Sequence, residues 1–118
     1  MAPSSARSSH RSLLLAPSLR PQRPWMATKL YEDCSAPLAN LFERGLCYGY
    51  IDAVIAVLGI IETVMTPGVA GSCIPPGATK DQIRDVVVSH LRDHPVDRHQ
   101  DAFGLVIKAL KAVWPCRQ

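Results

Sequence analysis

Apolar residues fall along this chain in blocks whose spacing changes from one block to the next. From Leu46 to Val64 the run is apolar at nearly every position, and only Asp52 and Glu62 carry charge. Such a run predicts a central helix that its neighbours cover on nearly all sides. The small residues Gly49, Ala53 and Ala56 recur at helical spacing within it and would let another helix approach closely. The whole element is expected over residues 38–65, with Gly45 and Gly59 as weak points where it could break. Before it, residues 27–35 read as a short amphipathic helix with Leu30, Tyr31 and Cys34 on one face, ended by Pro37.

The segment 66–78 contains Pro67, Gly68, Gly71, Pro75, Pro76 and Gly77, which is loop chemistry. Thr79-Lys80-Asp81-Gln82 is a capping box, and Ile83, Val86, Val87 and Leu91 then follow on one helical face until Pro95. Asp97-Arg98-His99-Gln100 reads as a second box opening a last helix. In that helix Phe103, Val106, Ile107, Leu110, Val113 and Trp114 keep the clearest amphipathic period in the chain, and Pro115 ends it. These blocks predict an all-α fold, a small disulfide-stapled bundle of about four helices. A membrane span is the rival reading of the central run. A carboxylate at Asp52 and the lack of flanking basic anchors, with Arg44 alone before it, argue against a span.

Composition adds bounds. At 118 residues and 47% apolar content the chain suits one domain with one core. Residues 1–25 hold Arg7, Arg11, Arg20 and Arg23 and no acid, among six serines and four prolines, and are expected not to fold. The domains are therefore read as a basic leader, 1–25, and a helical domain, 26–118. Taking those four arginines from the thirteen basic residues leaves nine against ten acids, so the domain is nearly neutral and no nucleic-acid partner is expected. The apolar patch 13–16 is too short for a secretory core of at least about seven residues.

Cys34, Cys47, Cys73 and Cys116 form no CxxC pair, so two structural disulfides are favoured over a metal or redox motif. Disulfides suit an oxidising compartment such as the periplasm. The missing signal peptide conflicts with that, unless the biological start is Met26 or lies upstream. The fallback is a reduced protein in the cytoplasm. His90 and His94, four apart with Asp93 between them, have a spacing zinc sites use, but no third ligand follows, and helix capping by His94 is preferred. No metal, cofactor or catalytic residue is expected. Asp52 is the one ionisable group expected to be buried, as a hydrogen-bonded carboxylate rather than an acid catalyst.

One ordered set of short motifs resembles a known family. Cys47-Tyr48-Gly49-Tyr50-Ile51, Cys73-Ile74-Pro75, Thr79-Lys80-Asp81-Gln82-Ile83-Arg84-Asp85-Val86-Val87, His94-Pro95, Ala109-Leu110 and Trp114-Pro115-Cys116 look like the Rap/Tai-type immunity proteins of bacterial type VI secretion, over roughly residues 28–116. Asp52-Ala53 departs from the family, which tends to have a glycine-containing helical turn there. The resemblance implies a small all-helical protein, usually periplasmic and often a homodimer, that binds and blocks a peptidoglycan amidase effector. It also implies pairing of Cys34 with Cys47 and of Cys73 with Cys116, since the residues alone leave connectivity open. Under the same resemblance the partner-binding residues are expected at the loop (Pro67, Gly68, Ile74, Pro75) and at the corner after the third helix (Arg92, Arg98). The alternatives are a periplasmic helical protein of structural or chaperone-like role without a toxin partner, and an enzyme or metal protein using the His90/His94 pair.

Overall fold

A computed structural model describes residues 25–65, 68 and 71–116. Among these residues four α-helices follow one another: α1 (Ala27–Cys34), α2 (Leu41–Val64), α3 (Lys80–Asp93) and α4 (Ala102–Val113), with a 3-10 turn at Pro95–Asp97 between the last two. The leader 1–25 lies outside the described residues except for Trp25. Both expected disulfides are present, Cys34–Cys47 and Cys73–Cys116, each with Cα atoms 4.9 Å apart. The fold is therefore an all-α, disulfide-stapled bundle.

The amphipathic periods place the core. Leu30 and Cys34 from α1, Cys47, Ile51, Val54 and Leu58 from α2, Ile83, Val87 and Leu91 from α3, and Leu105, Val106 and Leu110 from α4 are buried together. α1 touches all three other helices, and α3 packs along α4. The start of α1 is pinned to the α3–α4 corner: Ala27 N donates to Gln100 O at 2.8 Å, Thr28 N to Arg98 O at 2.8 Å, and Ala102 N to Trp25 O at 2.8 Å. Asp33 is buried beside this joint and is held by Lys29 at 2.8 Å.

The ends of the helices repeat the expected chemistry with one shift. At α3 the Thr79 hydroxyl accepts from Gln82 N at 3.1 Å, and the Gln82 side chain accepts from Thr79 N at 2.8 Å, a reciprocal box. At α4 the cap is Asp101, whose carboxylate accepts from Gly104 N at 3.1 Å. Asp97 instead closes the 3-10 turn, because Pro95 favours a tight turn before the helix can begin. α2 starts at Leu41, after a turn in which Asn40 N donates to Pro37 O, and it runs unbroken through Gly45 and Gly59.

The larger departure concerns how α2 is covered. Only Cys47, Ile51, Val54 and Leu58 are buried on it, and 22% of its most apolar 18-residue window is inside the fold. The expectation of cover on nearly all sides is wrong for a geometric reason. A 24-residue helix is about 36 Å long, whereas partners of 8, 14 and 12 residues reach about 12, 21 and 18 Å and all lie along one side. By length and composition α2 could cross a membrane. In this fold one of its faces is committed to the core, and the Cys34–Cys47 bond ties it to α1.

Candidate partner-binding surfaces

The motif-bearing residues sit at the joints of the bundle. Cys47 is bonded to Cys34, Tyr48 donates its hydroxyl to Asp81 at the start of α3, and Ile51 is in the core. Tyr50 stacks on Trp25 with ring centroids 5.0 Å apart and planes 2° from parallel. The Asp81 hydrogen bond holds the Tyr48 phenol above its ordinary pKa, and burial does the same for Tyr50. His94 caps α3, and Trp114-Pro115-Cys116 closes the chain onto the loop, with Cys73 N donating to Trp114 O at 2.7 Å and Cys116 N to Gly71 O at 3.2 Å. Gly49 is the exception: it faces outward and touches nothing across the fold.

The loop between α2 and α3 is tethered at several points. Gly68 and Gly71 take φ of +82° and +78°, the left-handed region that glycine reaches without steric cost. Gly68 N donates to the Glu62 carboxylate, and Gly71 N to Gly68 O at 2.9 Å. Of the four expected contact residues, Pro67 lies outside the described residues and Ile74 is tucked against the core. Gly68 is half-buried, and Pro75 is exposed beside Pro76 and Gly77. Among the described residues of the loop, Cys73 and the segment 75–77 are exposed.

At the corner after α3 the two arginines have different tasks. Arg92 is exposed and bonds only Ser89 Oγ at 3.1 Å and Asp93 at 3.3 Å. Arg98 turns back onto the fold: its Nε donates to Leu91 O at 2.6 Å, its Nη2 to Arg92 O at 3.1 Å, and its guanidinium lies 4.1 Å from the Tyr31 ring centroid. It satisfies carbonyls that the end of α3 leaves free. The rule that cations favour helix C-termini could have found this role in the sequence. Arg98 is half-buried and engaged by the fold, whereas Arg92, Asp93, His94, Pro95, Val96 and His99 are exposed at this corner.

A groove of about 470 Å³ runs between α3 and α4, lined by Asp85, Val86, His90, His94, Ala109 and Val113 among others. The His90 and His94 rings stack with centroids 4.1 Å apart. His94 Nδ1 lies 2.7 Å from His90 O, and because a carbonyl only accepts, that nitrogen carries the proton. Burial lowers the His90 pKa, with further lowering from His94 and Lys108. Among the described residues the pair brings no third ligand within reach. The one ligand-like grouping among those residues is Glu62 with Cys73 and Cys116, whose sulfurs are bonded to each other and cannot act as thiolates. Asp52 is half-exposed and paired with Lys80 at 3.0 Å, so it is a surface ion pair rather than a buried carboxylate.

Among the described residues α2 carries several exposed apolar side chains: Phe42, Ile60 and Val64 are 73%, 61% and 76% exposed, and Leu41 and Val57 are exposed on the same helix. Hydrophobic periodicity could not reveal these, because a run that is apolar all round gives no sign of which side stays open.

A family model described as Rap1a immunity proteins matches residues 26–116. No curated protein matches the chain, and no solved structure does.

Proposed function

The chain belongs to the Rap1a immunity proteins, whose family model spans all four helices and both disulfides, and from that premise we propose that it binds and neutralises a peptidoglycan amidase effector delivered by type VI secretion. The family match carries the reading. The physical design is in keeping with it: a stiff body held by two disulfides presents short anchored segments, which keeps the entropy cost of docking low. Of the expected contact residues, Pro75 on the tethered loop and Arg92 at the corner are exposed, and Arg98 is half-buried and also engaged by the fold. No catalytic role is proposed for any residue.

The periplasm is the proposed site of action. Two disulfides persist where thiols are oxidised, and the substrate of a cell-wall amidase lies there. The resemblance further implies that the protein works as a homodimer. The test is protection of growing cells. An amidase effector encoded beside this gene, directed to the periplasm of a bacterial host, should lyse it. Co-expression of this chain with an export signal should restore growth, and the same chain held in the cytoplasm should not. Lysis unchanged by the exported chain overturns the reading.

A further inference from the structure

The two disulfides stand in different surroundings. Cys34 and Cys47 are both 0% exposed in the core. Cys73 is exposed and Cys116 half-buried, so the bond between them is open to solvent. A dithiol reductant therefore meets that bond first. One of its thiolates attacks the Cys73 sulfur, and Cys116 leaves as a thiolate. The second thiolate then closes on the first and releases Cys73. The dithiol ends as a cyclic disulfide, and two electrons have passed to the cysteines.

Cutting the bond does not separate the pair. Cys73 N donates to Trp114 O at 2.7 Å and Cys116 N to Gly71 O at 3.2 Å, with Ser72 and Pro115 facing each other as an antiparallel bridge. The backbone thus sets the two sulfurs side by side whether or not they are bonded. Glu62 of α2 lies next to them: its carboxylate and both sulfurs fall within 4.8 Å of one another. Glu62 Oε2 accepts from Gly68 N, which orients the carboxylate as outer-shell donors orient metal ligands. Zinc bonds of about 2.3 Å to sulfur and about 2.0–2.2 Å to oxygen place tetrahedral ligand atoms less than about 4 Å apart. Small side-chain rotations cover the difference.

A second observation marks the same place. Glu62, Ser72 and Cys73 line a cavity of about 300 Å³, walled by Leu58, Gly59 and Ile74. Ser72 is 8% exposed, and its hydroxyl is buried with no hydrogen-bond partner among the described residues. A polar group left in that state is unfavourable, and a metal-bound water in the cavity would give it a partner. Lys111 adds charge nearby, since a Cβ at Gly71 would lie 3.3 Å from its Nζ. Two thiolates and one carboxylate exceed the charge of a divalent ion by one, and this ammonium offsets the excess.

We propose that the Cys73–Cys116 bond is opened selectively by a dithiol, and that Glu62, Cys73 and Cys116 then bind zinc, with water bonded to Ser72 in the fourth position. Binding releases the thiol protons to solvent. The loop between α2 and α3 is clamped to the chain end in both states, by the sulfur–sulfur bond when oxidised and by the metal when reduced. The inference stands apart from the amidase reading.

The full chain, treated with limiting dithiothreitol and desalted without oxygen, tests it. Alkylation and peptide mass mapping should find Cys73 and Cys116 labelled and Cys34–Cys47 still bonded. Cobalt(II), the spectroscopic probe for zinc, should give thiolate charge-transfer absorption and the visible bands of a tetrahedral site, saturating at one ion per chain and displaced by zinc. The oxidised chain should give neither signal, nor should the reduced chain carrying Cys73→Ser and Cys116→Ser. Glu62→Gln should keep the helical circular dichroism and bind at least roughly tenfold more weakly. Labelling of all four cysteines together overturns the selectivity. Absence of the thiolate band in the reduced chain overturns the metal site, and unchanged affinity in Glu62→Gln overturns its ligand set.

Discussion

At Arg98 a single guanidinium joins three parts of the bundle. It donates to the carbonyls of Leu91 and Arg92 and covers Tyr31 of α1, while the residue's own carbonyl receives Thr28 N. Arg98→Gln leaves those helix-end carbonyls without donors, and we expect it to cost about 1–3 kcal/mol in urea unfolding. Arg92→Gln, at an exposed side chain, should change stability by less than about 0.5 kcal/mol. His90 supplies a second measurement at this scale. Its folded pKa lies below the usual imidazole value because burial, then His94 and Lys108, disfavour the cation, against weaker pulls from Asp97 and Asp93. The unfolded chain therefore takes up the proton at higher pH than the native one. Stability should be fully present above about pH 6.5 and fall as pH drops through the lowered native value. Thermal melts of His90→Gln should lose that acid slope. The role of Arg98 was within reach of sequence rules, whereas the His90 environment depends on α4 packing that no local pattern encodes.

Among the elements, α3 and α4 were legible because their apolar residues keep one period and their ends carry polar caps. Thr79→Ala should cost about 1 kcal/mol through loss of the box, read by thermal unfolding. α2 was legible in existence and length but not in orientation, since the run from Leu46 to Val64 is apolar on every side and the choice of buried face is made by its short partners. Gly45→Ala should raise stability by about 0.5–1 kcal/mol in thermal unfolding, because the added Cβ meets open space and the helix gains propensity. The disulfides differ in the loops they close, 13 and 43 residues. Chain entropy predicts losses of about 3 kcal/mol for Cys34→Ser with Cys47→Ser and about 4 kcal/mol for Cys73→Ser with Cys116→Ser. Denaturant titration in the absence of reductant orders them.

For the molecule as a whole, family membership and the all-helical stapled fold were both foreshadowed by short motifs, and the structure gives those motifs a physical reason. Tyr48, Tyr50 and Cys116 hold elements together and His94 caps its own helix, so these residues serve the fold. Exposure was harder to see in advance. Arg98 and Ile74 look exposed by residue type or loop position and are engaged by the fold, while Leu38 and Phe42 look buried by type and stand open. The central claim is that this rigid body inactivates a cell-wall amidase by binding it. Titration of the oxidised protein into a peptidoglycan amidase effector, where one is encoded next to its gene, with release of peptidoglycan fragments as readout, is the direct test. The account predicts stoichiometric loss of hydrolysis that reduction of the disulfides relieves. Undiminished hydrolysis at a large molar excess of the oxidised protein would contradict it.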